Sequence, residues 1–167
     1  MVKLRVMFPS KIKICNVFRI PVYLDFSLII LLILFATNGG PFTLSISCAL
    51  MLLVSITAHE LGHALTARAF GYGTRDITLS LLGGCASLIA LPRKAWQEFL
   101  TAIAGPAVSF VLAALAFLAL RFIPLDEWTR YLLSYVAVMN VILGAFNLLP
   151  GFPCSLFHFA SASRFCS

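Results

Sequence analysis

The chain has 167 residues, 61% of them hydrophobic and 11% charged, with a net charge of +6 at neutral pH, whereas a water-soluble globular chain is about 25% charged. Its apolar residues come in long uncharged stretches that no aqueous core requires, so one lipid-solvated membrane domain over residues 1–167 is expected and an ordinary soluble enzyme is excluded. Lys and Arg lie scattered between those stretches without a basic face of interleaved aromatics, which excludes nucleic acid as a partner.

Residues 1–19 form a basic segment with Lys3, Arg5, Lys11, Lys13 and Arg19. That charge order resembles a signal peptide. However, the basic region is long, Asp25 interrupts it, and no small-x-small cleavage site follows before Asn38-Gly39-Gly40, so a retained first span from Ile20 to Thr37 is expected. A second span follows the short connection to Pro41 and runs from Phe42 to Phe70. After it, Asp76-Ile77-Thr78-Leu79-Ser80-Leu81 alternates polar and apolar residues, Gly83-Gly84 is suited to a tight turn, and Cys85 to Leu91 returns, which predicts a small β-hairpin. Two readings of it stand side by side: a lid over polar helix ends, or an edge to which an extended peptide adds as a further strand.

The third and fourth spans, Phe99 to Leu120 and Tyr131 to Leu149, contain no charge, with Trp128 and Tyr131 at the level of an interfacial aromatic belt. Basic residues in the N-terminal segment and in the stretch holding Arg68, Arg75, Arg93 and Lys94 place both on the cytoplasmic side. The loop between spans three and four balances Arg121 and Arg130 with Asp126 and Glu127, so it fits the outside. The expected fold is therefore an all-α membrane protein of about four transmembrane helices, both ends cytoplasmic, with a small cytoplasmic β-hairpin between the second and third. Five widely spaced cysteines without a Cys-x-x-Cys pair imply no disulfide framework.

Chemistry concentrates in His59-Glu60-Leu61-Gly62-His63. Two histidines four residues apart lie on one face of a helix, as two imidazoles sharing one zinc ion require. Glu60, beside the first, is placed to accept a proton from a water activated by that metal. The plainer alternative is that the three side chains hydrogen-bond one another or sit at the water interface. Their position directly after the uncharged run from Phe42 to Ala58 favours metal, because an ionisable group at membrane depth costs roughly 3 kcal/mol. At about 1.5 Å per residue, His59 lies about 26 Å along its helix from Phe42 and Asn147 about 24 Å from Tyr131, so both arrive at a similar depth. There Pro150, Gly151 and Pro153 break the helix, which suits either a polar cavity or an ordinary interfacial stop.

Taken together, His59-Glu60-x-x-His63, the Gly83-Gly84 hairpin, Ala104-Gly105-Pro106 and Asn147-x-x-Pro150-x-x-Pro153 resemble the site-2 protease family from roughly Val22 to Pro153. The resemblance implies a multi-pass intramembrane zinc metalloprotease that cuts transmembrane segments of client proteins within the lipid bilayer. It implies Zn2+ held by His59 and His63, Glu60 as general base, and Asn147 as a stabiliser of the oxyanion. Residues 20–153 then form the protease-like core. Ser109 is read as packing or hydrogen-bonding between helices and Gly105-Pro106 as a kink or close helix contact, and neither is assigned chemistry.

The family pattern continues after Pro153 with one residue and then Asp-Gly, the Asp being the third zinc ligand. Here the chain reads Cys154-Ser155-Leu156, and residues 154–167 form an atypical tail. Three accounts are open: a frameshifted or truncated chain, a substitute ligand such as Cys154 or His158, or a non-catalytic relative that binds client helices without cutting them.

Overall fold

The computed structural model describes residues 11–36, 41–80, 83–89 and 94–148. In chain order these form strands β1 (Lys11–Val17) and β2 (Ile20–Asp25), helices α1 (Phe26–Ala36) and α2 (Phe42–Ala69), strands β3 (Thr74–Ser80) and β4 (Gly83–Leu88), and helices α3 (Ala95–Phe122) and α4 (Glu127–Leu148). Three helices, α2, α3 and α4, are long and apolar enough to cross a membrane. The 28 residues of α2 or α3 extend about 42 Å, beyond the roughly 30 Å of a hydrocarbon core.

The single helical span expected from Ile20 to Thr37 is not formed. Ile20–Asp25 is strand, and α1 has 11 residues, about 16 Å of helix. The physical reason is local. Ile20 and Val22 alternate with half-buried neighbours at the period of a strand, and their hydrophobicity merges by averaging with the apolar run that follows. Asp25 then ends the strand and caps the helix: its Oδ1 accepts the Ser27 N–H at 2.9 Å, the contact an N-cap side chain makes. The same hydrogen bond holds its carboxyl below the usual carboxylate range.

The fold is therefore mostly helical with a larger β component than an isolated hairpin. One four-stranded sheet has the order β1-β2-β3-β4. The two outer pairs are antiparallel hairpins, and β2 joins β3 in parallel with Val22 opposite Ile77 and Leu24 opposite Leu79. The expected hairpin is β3–β4, but Gly83 and Gly84 pair with Ser80 and Leu79 and so open the return strand; residues 81–82 lie outside the described set. At the tip of β1–β2, Val17 pairs with Ile20, and the two residues between them, Phe18 and Arg19, have φ of 49° and 67°. Both are left-handed without being glycine, as a two-residue hairpin turn of favourable twist demands. The Arg68 Nη1 donates to the Phe18 carbonyl at 2.9 Å, tying this turn to the end of α2.

One face of β2 and β3 buries Ile20, Val22, Ile77 and Leu79 against Leu28 of α1 and Ile56 and Ala64 of α2. The helices follow an opposite rule. Leu50, Val54, Val111, Leu115, Val138 and Phe146 are exposed, whereas the facing surfaces are small or polar: Ala113 and Ala116 on α3, Ala137 and Gly144 on α4. Lipid dissolves the first set, and close backbone approach uses the second.

Helix α2 stops at a Schellman motif. Gly71, at φ 87°, donates its N–H to the Arg68 carbonyl and Tyr72 donates to the Ala67 carbonyl, at 2.9 and 3.0 Å, which returns the chain into β3. A methyl on Gly71 meets nothing within 4 Å, so its cost is conformational alone. Gly71→Ala is expected to lower unfolding stability by about 1–2 kcal/mol, read as a lower denaturation midpoint in detergent, with the secondary structure unchanged.

Candidate metal centre

The unbroken helical register of α2 brings His59, Glu60 and His63 together, with potential ligand atoms all within 4.8 Å of one another. His59 is 1% exposed and Glu60 5%, while His63 is partly buried. Ile56 and Ala64, which join the sheet core, lie four residues on either side of Glu60 and therefore on its stripe of the helix. The histidines face α3.

Helix α3 supplies a contact to each imidazole. The Ser109 hydroxyl lies 2.8 Å from His59 Nδ1, and His63 Nδ1 donates to the Thr101 carbonyl at 2.7 Å. A carbonyl only accepts, so the proton of neutral His63 is on Nδ1 and its Nε2 carries the lone pair. That Nε2 lies 3.2 Å from His59 Nε2, with the rings nearly perpendicular at 74°. Two nitrogens bound at about 2.0–2.1 Å to one tetrahedral zinc stand about 3.3 Å apart. The donor set therefore fits zinc in type, in separation and in the tautomer of His63.

Two glycines make this approach possible. A Cβ on Gly62 would lie 2.8 Å from the Ala104 carbonyl oxygen, and one on Gly105 would overlap the His63 ring. Pro106, next to Gly105 and buried within α3, lacks the N–H that would bond the Ala102 carbonyl. A second polar link joins α4 to α2: Asn140 Nδ2 donates to Ser55 Oγ at 2.8 Å and to the Val136 carbonyl at 2.9 Å. Asn140 is fully buried, one turn of α2 from His59.

Of the sequence-predicted site residues, His59, Glu60 and His63 are brought together. Asn147 is exposed on α4, with its Nδ2 donating to the Leu143 carbonyl at 2.7 Å. Pro150, Pro153, Cys154, Ser155 and His158 lie outside the described residues. Sequence reasoning missed Thr101 and Ser109 as partners of the imidazoles and Gly105 as the seat of His63. The available signal was their spacing: 101, 105 and 109 recur every four residues, a polar or small stripe along one face of an otherwise apolar helix.

The sequence profile of Peptidase family M50 matches residues 47–130. The chain belongs to this family. A solved site-2 protease from Methanocaldococcus jannaschii superposes on 86% of the M50 chain and 67% of its own with a TM-score of 0.73 at 30% identity, which bears out the resemblance read from the motifs. A Synechocystis sp. relative, provisionally named a zinc metalloprotease, is 38% identical over 161 residues, 86% of this chain and 41% of its own length. A zinc metalloprotease of M. jannaschii is 35% identical over 104 residues, 62% of this chain and 30% of its own. The M50 chain thus spans about two fifths of the first relative and under a third of the second. Membership and the three apolar helices together make it a multi-pass membrane protein.

Because the His63 ring rests on the α3 backbone, Gly105→Ala is expected to drive the ring off its seat and separate the two Nε2 atoms. Zinc bound per purified chain, measured by atomic absorption after gel filtration in detergent, should fall at least tenfold. The far-ultraviolet circular dichroism should stay helical.

Proposed function

We propose that the chain is the core of a zinc-dependent intramembrane metalloprotease that cleaves transmembrane segments of client proteins, its residues 1–167 forming a single membrane domain. The observation that carries this reading is the 3.2 Å convergence of His59 and His63 Nε2, with Glu60 adjacent, inside a helix built for lipid. His59 and His63 are the protein's imidazole ligands. Zinc, when bound, supplies a Lewis acid that polarises a scissile carbonyl and acidifies a water. Glu60 accepts the proton of the attacking water and returns it to the leaving amine. Asn147, once its amide exchanges the Leu143 carbonyl for substrate, stabilises the developing oxyanion.

A helical peptide hides its carbonyls in internal hydrogen bonds, so a client segment must be extended before it is cut. The sheet offers two edges, β1 and β4, on which an extended peptide gains main-chain hydrogen bonds. The packing of α2 against β3 and β4 supports this arrangement, because it holds the sheet beside the helix that carries the imidazoles. The basic residues Arg68 and Lys94, which flank β3 and β4 in sequence, and Arg75 within β3 assign this end of the bundle, with the N-terminal segment, to the cytoplasm.

A second reading rests on one residue. Ser155 stands where the family carries a ligating Asp, and a neutral hydroxyl lacks the charge and basicity of the usual zinc ligands. On that reading the chain captures client helices without cutting them. The two separate on a paired measurement. Under the protease reading the purified chain carries about one zinc, His59→Ala loses it, and Glu60→Gln keeps it while cleavage of a reconstituted transmembrane peptide drops by about 10²–10⁴-fold. No zinc in the unaltered chain, or zinc retained with no cleavage, removes the protease reading and selects the binding protein.

A further inference from the structure

We propose that Ser109 is a positioning residue that sets the tautomer of His59 and thereby governs metal affinity, an inference that rests on the zinc reading of the site. The argument begins with His63, whose Nδ1 proton is committed to the Thr101 carbonyl 2.7 Å away, leaving Nε2 as an acceptor. At 3.2 Å the two Nε2 atoms are at hydrogen-bond separation. Two lone pairs cannot face each other there without repulsion, so in the empty pair the proton between them belongs to His59 Nε2. His59 Nδ1 is then unprotonated and must accept, and among the described residues the hydroxyl bonded to it is Ser109 Oγ at 2.8 Å.

Metal ligation by both Nε2 atoms requires the opposite tautomer. His59 must then carry its proton on Nδ1, which needs an acceptor. A serine hydroxyl is donor and acceptor at once, and rotation about its C–O bond lets Ser109 serve either form. The imidazole pair keeps the same number of protons in both states: one leaves His59 Nε2 and one arrives at His59 Nδ1. Ser109 itself is fully buried, so water does not substitute for it from bulk. Thr101 and Ser109 therefore divide the work. The carbonyl locks one ring, and the hydroxyl lets the other ring follow the metal.

This assigns to Ser109 a role that alanine cannot fill. In Ser109→Ala the Nδ1–H of the ligating tautomer is left buried without an acceptor, and zinc affinity should weaken about 10–100-fold, the usual cost of losing such an outer partner. The measurement is competition between the purified full-length chain in detergent and a chromophoric zinc chelator, with His59→Ala as the site control and the zinc-free thermal midpoint as the folding control. Histidine nitrogen-15 spectra of the unaltered, zinc-free chain give an independent readout. His59 should show a protonated Nε2 and a hydrogen-bonded, unprotonated Nδ1, and the two should exchange roles on adding zinc. Equal zinc affinity in Ser109→Ala and the unaltered chain overturns the role of Ser109 while leaving the zinc site standing. A protonated His59 Nδ1 in the zinc-free chain also overturns it. Failure of the unaltered chain to bind zinc overturns the site and this inference together.

Discussion

A polar group held at membrane depth must find its partner inside the protein, since hydrocarbon offers none. In this chain that constraint falls hardest on two imidazoles, four ring nitrogens in all. The structure answers it with one helix: α3 brings a carbonyl to His63 and a hydroxyl to His59, and the remaining nitrogens face each other. For α3 to come so near, side chains must be absent from the crossing, and Gly62 and Gly105 are where a Cβ would collide. The chemistry of the pair therefore depends on what two residues lack. A larger side chain at either position would cost packing and would also strand a polar nitrogen in an apolar medium.

The architecture around the site follows two rules of burial. Where β2 and β3 meet α1 and α2, large aliphatic residues pack as they do in a soluble core. Where α2, α3 and α4 meet, small and hydroxyl-bearing residues line the contact and large ones point outward. Helix α2 takes part in both regimes along different stripes. Its Ile56 and Ala64 join the core under the sheet, and its two histidines meet α3. The Schellman stop at Gly71 and the Arg68 contact to the β1–β2 turn keep the sheet fixed against that helix end.

Much of this was legible before any coordinates. Uncharged length identified α2, α3 and α4, because a stretch of some 20 apolar residues has few other uses. His59-Glu60-x-x-His63 announced itself through spacing and through the expense of its setting. The alternation from Asp76 to Ser80 revealed β3. Other features were hidden for identifiable reasons. Strand β2 adjoins an apolar helix with no polar break except Asp25, so any average over the region reads as a single span. The left-handed turn at Phe18 and Arg19 carries none of the Asn or Gly that normally marks such a turn. Ser109 and Thr101 left only a four-residue spacing in the sequence, since a hydroxyl or a carbonyl acquires its role only from the ring placed opposite it by tertiary packing.

The parallel pairing of β2 with β3 carries a consequence for how the molecule is assembled. Antiparallel neighbours can zip from a turn, but Val22 meets Ile77 only after the chain has passed through the whole of α1 and α2. The β1–β2 hairpin precedes α2 in the chain and gains its parallel neighbour only once α2 has been made and the chain has come back. Completion of the sheet is thereby a report that α2 has been inserted in the correct sense. A helix threaded the wrong way would deliver β3 to the opposite side of the lipid, and the two halves of the sheet would never meet.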